Sequence, residues 1–112
     1  MSSVNDALYI GMGPPNGLLF EVRKLDGDTW DPTVVATVSI RALPPSGVAK
    51  TFAGTISSGS QSATGLDVEY ALAEDDLDEV GEWRFYLKLI DADDGVVRTI
   101  CQARTVRAEF GL

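Results

Sequence analysis

The chain has 112 residues, which suits one domain of ordinary size and leaves no room for a second catalytic one. Nine basic against 17 acidic residues give a net charge of −8, which repels phosphate backbones and anionic headgroups and so argues against nucleic acid and membrane as partners. The absence of histidine removes the usual general base and the commonest metal ligand, and one cysteine excludes an intrachain disulfide.

The first 17 residues are expected to form an N-terminal arm with a first strand over 7–12. They carry neither the basic nor the apolar region of a signal peptide, and no stretch of the chain approaches the roughly 18 apolar residues of a membrane span. GMGPPNG at 11–17 lacks the Lys and Ser or Thr of a phosphate-binding loop, and its two prolines remove amide donors, so it reads as a turn or hinge. Residues 18–25 (LLFEVRKL) alternate, with Leu18, Phe20 and Val22 on one face, and DGD at 26–28 supplies a turn. Residues 34–42 (VVATVSIRA) set Ala36, Val38 and Ile40 against Thr37, Ser39 and Arg41, and Pro44 and Pro45 stop the strand. Lys50–Ile56 (KTFAGTI) forms a short strand weakened at Gly54, and SSGSQSATG reads as an exposed loop, the segment most free to move.

In residues 67–72 (DVEYAL), Val68, Tyr70 and Leu72 share a face. AEDDLDEVG then suggests one helical turn that packs Leu77 under a corner. Residues 82–90 (EWRFYLKLI) are the strongest element, with Trp83, Phe85, Leu87 and Leu89 on one face, and they predict a central strand. DADDG is a hairpin turn with Gly95 at the position suited to positive φ, and 96–106 returns antiparallel. The inward set of that last strand stays open: Val97, Cys101 and Ala103 compete with Val96, Ile100 and Val106, and a bulge would switch them. About seven short strands without helical periodicity indicate an all-β fold, an immunoglobulin-like antiparallel β-sandwich over 18–107 with a tail at 108–112; a small β-barrel is the alternative.

The order of elements resembles the small Ig-like domains of tailed-bacteriophage virion proteins, including the N-terminal domain of the baseplate upper protein family. The shared cue is Tyr70 and Leu72 closing a strand, an acidic turn with Asp76 and Leu77, Gly81 and Trp83 opening a long amphipathic strand, and the Asp94, Gly95 hairpin. The motifs are short, and they span most of 18–106. That family carries the domain at the front of a longer protein, whereas this sequence ends soon after the last strand. The resemblance implies a non-enzymatic virion subunit assembled in the bacterial host cytoplasm: a tail, neck or baseplate adaptor or a capsid decoration protein. Its partners would then be other virion proteins or further copies of itself, without cofactor, nucleic acid or membrane.

Candidate sites are few. Asp26, Asp28 and Asp31 in DGDTWD are weak calcium candidates beside the stronger reading of Asp as a turn residue, and no run matches a twelve-residue EF-hand loop. Two further acidic runs, 74–79 and 91–94, read the same way. Cys101, inside a strand, is expected to pack as a small hydrophobe. Trp83 is expected in the core; Trp30, in a turn, is either an exposed interface anchor or a cap on the core. Leu8, Tyr9, Ile10, Met12, Phe110 and Leu112 look like apolar residues beyond what a sandwich needs, and with Trp30 they form the expected interface, since arms of this kind add a strand to a partner's sheet edge. A second reading is a carbohydrate-binding or adhesion module using Trp30, Tyr86 and the loop acids, with or without calcium.

Overall fold

The computed structural model describes residues 8–14 and 16–108. Seven strands account for most of them: β1 (Leu8–Tyr9), β2 (Gly17–Arg23), β3 (Val35–Leu43), β4 (Lys50–Ile56), β5 (Gly65–Ala71), β6 (Gly81–Asp91) and β7 (Val96–Arg107). The chain is all-β, as its alternating pattern predicts. The strands form one sheet in the order β1-β7-β6-β3-β4-β5-β2, curled over itself into a half-barrel.

Two features refine the expected sandwich. Its layers are the two halves of one continuous sheet, because β4 pairs with β3 from Lys50 to Gly54 and then with β5 at Thr55 and Ile56. The pairing is also not wholly antiparallel: β1 runs parallel to β7, with Leu8 opposite Val106 and Tyr9 opposite Arg107. These strands come from opposite ends of the chain, so no tight hairpin dictates their direction.

The core forms where the halves face each other. Trp83, Phe85, Leu87 and Leu89 of β6 are fully buried, as are Phe20 and Val22 of β2 to within 1%. Phe20 and Phe85 meet with centroids 5.4 Å apart at a tilted angle, and Trp83 stacks 6.1 Å from Phe85. Each such side chain contributes roughly 1.5–3 kcal/mol before entropy costs. In β3 the inward set differs from the alternation read over 34–42. A register shift between Val35 and Thr37 leaves Ala36 exposed, and Val35 takes its place in the core with Val38, Ile40 and Ala42. A second shift, at Leu89 and Ile90 opposite Val96 to Arg98, settles the open question in β7. Val97, the extra residue of the bulge, packs against the core, as do Ile100 and Val106 after it. Cys101 therefore faces out and is exposed, and does not pack as a small hydrophobe.

The connections are held by side chains. The acidic segment after β5 is a hydrogen-bonded turn and not the expected helical one, because the Asp76 carboxylate itself accepts from Ala73 N (2.7 Å) and from Tyr70 Oη (2.8 Å). Leu77 is fully buried beneath it, as expected. Lys50 Nζ donates to the Asp75 and Asp76 carbonyls and pairs with Asp78 at 3.1 Å, and Trp83 Nε1 donates to Glu79 O. In the serine-rich loop, Gln61 Nε2 donates to both Pro32 O and Val35 O at 2.8 Å, and Ser60 Oγ accepts from Asp67 N, so the loop is tied to the strands beside it. In the β6–β7 hairpin it is Asp94, at φ 64°, that takes the left-handed conformation and not Gly95. Gly95 is needed for space: a Cβ there would lie 2.9 Å from Asp91 Oδ2, whose carboxylate accepts the Gly95 amide through Oδ1.

Two predictions follow from this packing. At Gly54, where β4 changes partner, a Cβ would sit 2.9 Å from Val68 Cγ1 and 3.1 Å from Ile40 Cδ1. Gly54→Val should overpack the corner and lower stability by about 1–3 kcal/mol in a denaturant titration. The Tyr70 phenol is pushed up to about 12, first by desolvation and then by its bond to Asp76. The neutral phenol is favoured in the folded state, so its contribution is full below the ordinary tyrosine value of about 10 and is lost as pH rises towards 12. A Tyr70→Phe variant should lose stability less steeply than the parent between about pH 10 and pH 12, read from urea midpoints across that window.

Candidate functional site

Among the described residues the half-barrel does not close: β7 pairs with β6 along its length, but on its other side only Val106 and Arg107 have a described strand partner, in β1. β2 pairs with β5 through all seven residues and, among the described residues, has no strand on its outer side. Two strand edges therefore flank an open seam, and a groove of about 330 Å³ lies in it, bordered by Glu21 and Arg23 on one side and by Arg98, Ile100 and Gln102 on the other.

The seam explains the composition of β7. Its residues opposite Trp83, Phe85, Leu87 and Leu89 are Arg104, Gln102, Ile100 and Arg98, so the face that continues the core is mostly polar. The arginines cross the gap. Arg104 donates to Leu19 O on β2 and to Gln102 Oε1 (3.3 Å), and its guanidinium lies 4.4 Å from the centre of the Phe20 ring. Desolvation lowers its pKa from the ordinary value, and among the described residues it has no carboxylate partner. Arg98 lies 5.9 Å from the Trp30 ring centre and 3.8 Å from Asp28 Oδ1.

The edge of β2 is a ready acceptor of another strand. Leu19 O points away from β5, as its bond to Arg104 requires, and the two-residue alternation puts the Glu21 main-chain N–H and C=O on the same outer side. The partner register agrees: Asp67, opposite Glu21, uses its carbonyl on the β4 side, accepting from Ser57 N at 2.9 Å.

The aspartates considered for calcium serve their own turns. Asp28 Oδ2 accepts from Leu25 N (2.8 Å) and Trp30 Nε1 (3.3 Å), and the Leu25 amide above all holds its pKa below the usual value. Asp31 accepts from Thr33 Oγ1 and Thr33 N, which lowers it likewise and caps the short 3₁₀ turn Pro32–Val34. Asp26 is exposed, and among the described residues no three His, Cys, Asp or Glu side chains come together to hold a metal ion.

The apolar residues expected to be spare are largely used within the subunit. Leu8 is 5% exposed beneath the β1–β7 pair, and Ile10 and Met12 pack partly buried against the core. Tyr9 is half-buried, and its amide donates to Met12 Sδ at 3.1 Å. Trp30 is 9% exposed, which makes it a cap on the core and not an open anchor or stacking platform. Phe110 and Leu112 lie outside the described residues. Sequence reasoning missed the two crossing arginines; the signal was present, since the apolar alternation fails in 96–106 where charged and amide residues take the inward positions.

Comparison with family models, with curated proteins and with solved structures finds no match to the chain.

The seam makes Arg104 structural as well as polar. Arg104→Ala should expose Phe20 and free Leu19 O, lowering stability by roughly 1–3 kcal/mol by thermal or denaturant unfolding while leaving the all-β circular dichroism spectrum intact.

Proposed function

We propose that the protein is a non-enzymatic assembly subunit that engages its neighbours through the open seam, in the setting the resemblance implies, a tailed-bacteriophage virion. One observation carries the reading: among the described residues the outer edge of β2 has main-chain donors and acceptors with no strand partner, beside a groove bordered by charged side chains of both signs. An unpaired edge is a template for an extended segment of another chain, which gains affinity from main-chain hydrogen bonds and register from the side chains along the groove. The lack of histidine supports a role without acid–base or nucleophilic chemistry, and the net charge of −8 supports a protein partner over nucleic acid. The virion setting itself rests on the resemblance around Tyr70, Asp76, Leu77 and Trp83. The adhesion reading loses its main support with the burial of Trp30 and the commitment of Asp28 and Asp31 to their turns.

The test is a proline that removes the edge donor and spares the fold. The Glu21 N–H faces away from β5, so Glu21→Pro costs no bond within the sheet. The variant should keep the parent's spectrum and melt within a few degrees of it, yet lose self-association by sedimentation velocity and recovery with assembled phage particles. A variant that associates and incorporates as the parent does, or a parent that does neither, overturns the proposal.

A further inference from the structure

The outer faces of the two layers carry opposite charge. On β6, Glu82, Arg84, Tyr86 and Lys88 alternate with the buried Trp83, Phe85, Leu87 and Leu89, and so they point outward. Register sets Arg41 of β3 beside Tyr86, so the phenol ring stands among cations: Arg41 across the ladder, and Arg84 and Lys88 about 7 Å away along the strand on either side. Glu82 is the acid on this face of β3 and β6, and it lies 3.8 Å from Arg84. The flanking positions are short, with Thr51 and Ala53 on β4 and Thr99, Cys101 and Ala103 on β7, so the cations and the ring rise above a flat surround. The outer face of the other layer has the reverse sign. Glu21 of β2 lies opposite Asp67 of β5, and Glu69, two residues on, lies opposite Leu19. Arg23 pairs with Asp67 at 2.8 Å, while Glu21 and Glu69 are exposed.

We propose that copies of this chain stack layer on layer, the cationic β3–β6 face of one copy against the acidic β2–β5 face of the next, with Tyr86 at the centre of the contact. Each cluster gathers like charges on neighbouring strand positions, which costs stability in the separate subunit. Set against each other, the two clusters attract. The occupant is a second copy because one chain carries both complements, each on a pair of adjacent antiparallel strands with the same ladder spacing. The net charge of −8 repels copies that meet in other orientations, and a Debye length of about 8 Å at physiological salt confines the attraction to faces in contact, so the sign pattern selects this pairing. Since the two faces differ, the contact is head-to-tail and repeats from copy to copy, as a ring or a filament. The inference rests on reading the protein as an assembly subunit, but it uses the faces of the sheet and not the edge of β2.

Charge reversal tests it. Lys88 and Glu69 are both exposed, on opposite layers. Lys88→Glu and Glu69→Lys should each weaken self-association of the full chain on the order of tenfold by sedimentation velocity at about 0.15 M salt, because each makes the two faces alike in sign. Both substitutions in one chain, or a mixture of the two single variants, should restore association, since opposite signs then meet again; a damaged fold does not recover on mixing. Single variants that associate as the parent does, a mixture that fails to recover, or a monomeric parent overturns the stack. Loss of association in Glu21→Pro with none in the charge variants overturns the stack and leaves the edge reading standing. Loss in the charge variants with recovery on mixing, and none in Glu21→Pro, supports the stack and overturns the edge.

Discussion

β4 hydrogen-bonds to β3 with its first five residues and to β5 with its last two, and this change of partner folds one sheet into two facing layers. Everything else in the structure depends on that corner. It puts Phe20 against Phe85 and lets the alternate residues of β2, β3, β5 and β6 share one interior. Gly54 sits at the last β3-paired position with Ile40 and Val68 close on either side, so the corner works only where a side chain is missing. The weakness that glycine brings to a strand interior here becomes a hinge in the sheet.

The same corner leaves the far side open. A half-barrel joined through β4 ends on the β1–β7 pair at one side and on β2 at the other, and among the described residues no strand pairing joins the two. Arg104 spans the gap to Leu19 O, and Arg98 reaches towards Trp30 and Asp28. Long cations suit this place: their stems cover apolar rings and their heads find carbonyls and water that the closed part of the core lacks. The polar inner face of β7 thus marks the seam, and the seam is where the proposed neighbour would bind.

The acidic turns have a consistent account. Asp28, Asp31, Asp76 and Asp91 each close a turn by accepting backbone amides, and Lys50 ties the most acidic segment to the start of β4. Clusters that invite a metal reading in one dimension are distributed over separate turns in three. Their effect is local order together with a surface field that discourages polyanions.

The strands were largely legible in the sequence because alternation at a period of two is a local signal. Residues 82–90 announce a buried face of Trp83, Phe85, Leu87 and Leu89, and Lys50–Ile56 is bounded by its own flanking residues. What only the tertiary structure decided depends on partners distant in sequence. The bulges at Val35 to Thr37 and at Val97 exchange which residues face inward, and so expose Cys101. The parallel seating of Leu8 on Val106 turns apolar residues that looked spare into part of the core. The candidate site was hidden for the same reason: an unpaired edge is the absence of a neighbour, and a strand's own residues do not state who its neighbours are.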